Sequence, residues 1–154
     1  MSSFEVVGGK KLSGTIHPQG AKNEALQIIC AVLLSKEKII VKNVPEIIDV
    51  NKLIDLLKSL GVRVRKTSKA TFEFQSNDID LNYLNTEDVE LKGKSLRGSI
   101  MIVGPLLARF GIASIPRPGG DKIGRRRLDT HFENLIKLGA VSYTHLTLPT
   151  TYTV

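Results

Sequence analysis

Residues 116–131 read "PRPGGDKIGRRRLDTH", a short stretch holding two adjacent glycines, an acid and three consecutive arginines. Repulsion among Arg125, Arg126 and Arg127 costs free energy, and so does ordering Gly119 and Gly120. A bound anion would offset both. Gly119 and Gly120 can take positive φ and let backbone amides approach it. Arg126 or Arg127 could grip a diphosphate, and Asp129 could accept from a ribose hydroxyl or a base N–H. Two more cations sit where anions bind: Lys22 in "GAKN" and Arg97 in "SLRGSI" each precede an apolar helical segment. A positive charge at a helix N-terminus opposes the macrodipole, by roughly 0.3–1 kcal/mol. An anion held there by free N–H groups and the cation turns that cost into a gain. A solvated basic turn, with Asp129 capping the next helix and side chains reaching into water, fits the same spacing. Spacing gives an anion site and no reaction.

The elements that would carry these residues read as a repeat. "FEVVGG" and "LSGTIH" look like short strands. Ala25 to Leu34 is apolar nearly all round, as in a buried helix, with Asn23 placed to be its N-cap. "KIIVKN" is a strand. "PEIIDVNKLIDLLKSLG" is an amphipathic helix stopped by Gly61. "VRVRK" and "TFEFQ" alternate as strands do. A second pass runs "DVELK" as strand, "GSIMIVGPLLARFG" as apolar helix, "IASIP" as strand and "RLDTHFENLIKLGA" as a helix ending at Gly139. Pairing Leu33 and Leu34 with Leu106 and Leu107 leaves 27 positions from Leu34 to Gly61 but 32 from Leu107 to Gly139. The extra residues, about five, fall in the glycine-arginine loop. The expected organisation is one complete β-α-β-α-β-β repeat over about 12–76 and a truncated second over about 87–140. After Ala140 the chain turns Thr-rich and uncharged. Residues 141–154 are expected to be a non-native or disordered tail, lacking paired strands and derived from a truncated reading frame.

Bulk properties narrow the partners. The chain has 154 residues, a formal charge of +7 and 42% hydrophobic residues, so one soluble domain with an anionic ligand is expected. Aromatic residues make up 5% and Trp is absent, against a stacking surface for single-stranded nucleic acid. The lone Cys30 suits a reducing compartment. No signal peptide or membrane-length apolar run is visible, so the expectation is a cytoplasmic protein. His17, His131 and His145 show no ligand spacing, and no metal or cofactor is expected.

"GAKNEAL" (20–26), "NVPEIIDV" (43–50), "LRGSIMIVGPLLARFG" (96–111) and "PGGDKIGRRRLDTH" (118–131) together resemble the UDP-N-acetylglucosamine 1-carboxyvinyltransferases. The resemblance runs from about Val6 to Ala140 and spans the first third or so of a family member. It implies transfer of enolpyruvate from phosphoenolpyruvate to UDP-N-acetylglucosamine, the first committed step of peptidoglycan synthesis. It also implies an inside-out α/β barrel built from such repeats, closed over the substrates by a second domain that this chain lacks. By position, Lys22 and Asn23 match the pair that contacts both substrates, and Arg97 matches the phosphoenolpyruvate-binding arginine. Arg126 matches the loop arginine on phosphoenolpyruvate. Arg127, Leu128, Asp129, Thr130 and His131 match the segment bordering uridine, although a proline is common at the position of Arg127. Asp121 stands where most members carry the reactive cysteine alkylated by fosfomycin, and some members carry Asp. The loop then reads as a lid whose cations meet phosphate and carboxylate while Asp121 handles a proton. With the general base in the missing domain, the chain alone is expected to be inactive. Rival readings are the sibling that makes enolpyruvyl-shikimate phosphate, which has a serine-rich motif in place of "GAKN", and a basic module that binds nucleic acid.

Overall fold

The computed structural model describes residues 3–116, 119, 127–146 and 148–152. They fall into two compact units, one through Gly120 and one from Asp121 onward.

The first unit is organised around two helices. Helix α1 (Lys22–Ala31) buries Ala25, Leu26, Ile29 and Cys30 and runs into a 3₁₀ turn, Val32–Leu34. Helix α2 (Ile48–Ser59) buries Val50, Leu53, Ile54, Leu56 and Leu57, as its amphipathic spacing predicts. It closes at Gly61, whose φ is +97°. There Gly61 N–H donates to Lys58 C=O and Val62 N–H to Leu57 C=O, the paired bonds that satisfy the orphan carbonyls of a helix end. Strands β1 (Ile39–Val41), β2 (Arg63–Ser68) and β3 (Thr71–Gln75) form an antiparallel sheet in the order β1-β3-β2. Phe74 on the central strand is fully buried and joins the helices in one core.

Beyond the sheet come a 3₁₀ turn, Leu81–Asn85, helix α3 (Glu87–Lys94), a second 3₁₀ turn, Arg97–Ile102, and helix α4 (Val103–Phe110). The second unit holds helix α5 (Asp129–Lys137) and an antiparallel hairpin of β4 (Ser142–Leu146) and β5 (Leu148–Tyr152). The chain is thus α/β, with helices and small antiparallel sheets.

Several expectations are corrected. "DVELK" lies in α3 and not in a strand. Thr86 caps that helix, Glu87, Asp88 and Glu90 occupy its first turn, and Lys92 and Lys94 its last. Those charges suit a helix dipole, and Asp88–Lys92 and Glu90–Lys94 pair one turn apart. "FEVVGG", "LSGTIH" and "IASIP" form no strand, because no other described strand pairs with them; a strand needs a ladder partner. Phe4, Val6, Leu12 and Ile16 stand exposed, whereas Ala113 and Ile115 pack on the core. Helix α1 is buried on one face only, with Ile28 exposed on the other. Asn23 sits inside its first turn, and Ala21 occupies the N-cap. The apolar segment after Arg97 starts as a 3₁₀ turn, so α4 itself begins at Val103, five residues later than expected. Ser142–Leu146 and Leu148–Tyr152, expected to be unpaired, form the β4–β5 hairpin; Thr and Tyr, which favour strands, recur in both.

Candidate anion site at the starts of two helices

The site begins with Gly20. A Cβ there would lie 1.9 Å from the Asn43 carbonyl oxygen, so only glycine lets the entry to α1 pass so close to the loop before α2. Asn43 itself takes a left-handed φ of 57°, which asparagine tolerates. This approach sets the start of α1 beside the start of α2.

Across that junction Lys22 Nζ pairs with Asp49 Oδ2, from the first turn of α2. Asp49 offsets the charge that Lys22 adds to the positive end of α1, and it sits favourably at the positive end of its own helix. Sequence reasoning missed it. Its signal was an acid in a helix first turn within "NVPEIIDV", which reads as ordinary dipole matching. The first helical bond of α1 runs from Ala25 N–H to Ala21 C=O at 3.0 Å, and the Ala21 side chain cannot cap. The N–H groups of Lys22, Asn23 and Glu24 therefore have no acceptor within the helix and point where an anion would sit.

Arg97 opens the 3₁₀ turn that packs on α1. A Cβ on Gly98 would lie 3.1 Å from Leu26 Cδ1, one helical turn along from Lys22. Lys52, one turn into α2, donates to the Ser95 carbonyl at 3.3 Å and ties the approach to Arg97 to that helix. Lys22, Asn23, Asp49 and Arg97 thus lie on three adjoining element starts. The turn is fixed from within by buried Ser99, whose hydroxyl lies 2.9 Å from the Gly93 carbonyl and 2.7 Å from that of Leu96.

The far end of α1 is held as firmly. Arg109 Nη1 donates to the Leu33 carbonyl at 2.8 Å, to that of Ser35 at 3.2 Å and to Ser76 Oγ at 3.1 Å. Burial pushes the Cys30 thiol up to about 12, so it is an inert core group and no nucleophile.

The glycine-arginine loop divides differently. Gly119 is required for packing against the C-terminal end of α3, not for a positive φ: a Cβ would lie 1.9 Å from the Lys94 carbonyl oxygen. Asp121 and Arg126 lie outside the described residues. In the second unit Arg127 Nε pairs with Asp129 Oδ2, and Asp129 is the first residue of α5 and not its N-cap. Leu128 is the N-cap residue and accepts from the His131 N–H at 3.0 Å; Thr130 and His131 are exposed. Among the described residues no helix is long and apolar enough to cross a membrane, and no three His, Cys, Asp or Glu side chains converge as metal ligands.

The family model for EPSP synthase (3-phosphoshikimate 1-carboxyvinyltransferase) matches residues 6–148. The chain belongs to the EPSP synthase family. Its relatives within that family carry a more specific name. A Bacteroides fragilis protein is 56% identical over 140 residues, 91% of this chain and 32% of its own length. One from Porphyromonas gingivalis is 51% identical over 145 residues, covering 94% and 33% of the two chains. One from Treponema denticola is 46% identical over 140 residues, covering 91% and 32%. All three are named UDP-N-acetylglucosamine 1-carboxyvinyltransferase. The chain spans about a third of the length of these curated relatives, and the resemblance carried by "GAKNEAL" and the other three motifs is borne out.

Proposed function

We propose that this chain is the part of a UDP-N-acetylglucosamine 1-carboxyvinyltransferase that holds phosphoenolpyruvate and one side of the UDP-sugar. The observation that carries the reading is the junction of Lys22 and Asn23, at an α1 start without a side-chain cap, with Arg97 on the turn packed against that helix. Phosphoenolpyruvate brings a phosphate and a carboxylate, which need paired cations and backbone donors before water can be excluded from them. In the reaction the sugar hydroxyl oxygen bonds to the enol carbon and loses its proton, while the methylene gains one. Loss of that added proton and of phosphate then restores the double bond. The part read here supplies anion binding. Asp121 handles a proton in the loop, Arg126 meets the phosphate, and residues 127–131 border uridine. The general base belongs to a second domain outside this chain.

In this reading the architecture is the family's inside-out barrel of repeats. The order α1-β1-α2 is answered by α4, residues 112–116 and α5. Residues 1–140 form the transferase part, and the 141–154 segment is a non-native addition. The setting is the cytoplasm and the product feeds peptidoglycan synthesis, without nucleic acid or membrane as partner.

Replacing the matching segment of the Bacteroides fragilis relative with residues 1–140 tests this. The chimera should release phosphate from phosphoenolpyruvate only when UDP-N-acetylglucosamine is present, and not with shikimate 3-phosphate. The 154-residue chain alone should release none. A folded chimera without UDP-sugar-dependent release would refute the reading.

A further inference from the structure

Lys22 has a carboxylate partner within the chain itself. Its ammonium pairs with Asp49 across the two helix starts, and the side chains are 48% and 33% exposed, open enough for exchange with a ligand. Without Asp49, the N–H groups of α1 and the ammonium would repel each other, and the long lysine side chain would swing into water. With it, an arriving phosphate must take over an ammonium that is occupied and must approach a negative charge. We propose that Asp49 is an internal counter-ion that positions Lys22 and is displaced from it when a phosphate dianion binds. This rests on reading Lys22 as an anion ligand and assigns the acid beside it a positioning role that trades anion affinity for placement.

Inorganic phosphate, titrated into the 154-residue chain at constant ionic strength, tests the role through the amide resonances of residues 22–25. Asp49→Asn keeps an acceptor but removes the charge, and should lower the phosphate Kd about threefold, the scale of one half-exposed ion pair. Asp49→Glu should restore the wild-type value. Lys22→Ala should weaken binding, and adding Asp49→Asn to it should bring no further gain, because the effect runs through the ammonium. Asp49→Ser carries the same expectation as Asp49→Asn if the latter does not fold. An unchanged or higher Kd in the charge-removed variant, or an equal gain in the Lys22→Ala background, overturns the counter-ion role alone. Absence of phosphate binding at these amides in every variant overturns both that role and the reading of Lys22.

Discussion

Helices α2 and α5 have the same sequence grammar and different fates. Both are amphipathic, both start with an acid in the first turn, and both close at a left-handed glycine with the same pair of terminal bonds. Gly139 N–H donates to Ile136 C=O at 2.9 Å and Ala140 N–H to Leu135 C=O at 3.0 Å, repeating the geometry at Gly61. Yet α2 buries five apolar residues and α5 buries none. Local signals specify a helix and its stop; burial requires partner faces, which α2 finds on α1, α3 and the 97–102 turn. The same contrast separates the two sets of site residues. Lys22 and Arg97 stand on elements anchored in the core, whereas Arg127 to His131 lead into and open a helix without buried residues.

The sharpest way to break this comparison is to truncate one apolar residue in each helix. Leu53→Ala in α2 should cost about 2–5 kcal/mol of stability, because the side chain is fully buried. Ile136→Ala in α5 should cost about 1 kcal/mol or less. Hydrogen exchange, read separately in each unit, would check both; equal losses would contradict the contrast.

A smaller effect separates the two glycines. Gly61→Ala adds a Cβ 2.3 Å from the Asp78 carbonyl oxygen as well as left-handed strain, and about 3 kcal/mol is expected. Gly139→Ala meets open space at φ +95° and should cost only about 1 kcal/mol of strain. Urea denaturation of the two variants measures the difference.

Acid acts more gently on the first unit. Hydrogen bonds from Lys92 and then Tyr83 hold the Asp88 carboxyl below its ordinary 3.8, and one from Arg65 leads those holding Glu73 below its ordinary 4.5. A carboxylate lowered in the folded state stabilises it above the ordinary value, and that contribution is lost as pH falls through the lowered one. Stability should therefore decline below about pH 4, and Asp88→Asn should make the decline shallower. An unchanged slope would show that Asp88 contributes nothing.

Much of this was legible in the sequence where a period and a stop signal coincide, as in α2 and the β2–β3 hairpin. "DVELK" was not, because five alternating residues fit a strand and a helix equally, and the Thr86 cap and charge pairs one turn apart decide. The N-terminal strands were misread because a strand depends on a partner that its own residues do not encode. In the site, Lys22 and Arg97 were legible from their place before apolar segments. Asp49 and Arg109 were not, since the contacts that define them cross 27 and as many as 76 positions of chain; only the packed fold shows such pairs.

The central claim is that helix-start cations on the anchored unit, rather than net charge, hold the anion. Steady-state kinetics of the chimera test it through Lys22→Ala, Arg97→Ala and the control Arg65→Ala. Arg65 lies on β2, 71% exposed and paired with Glu73, away from both helix starts. On the proposed reading each site variant removes a charge-assisted contact from a site that closes to water, a loss of about 2–5 kcal/mol, so kcat/KM for phosphoenolpyruvate should fall roughly 30-fold or more. The control should stay within about twofold, as exposed ion pairs contribute little. Equal losses in all three variants would contradict the account.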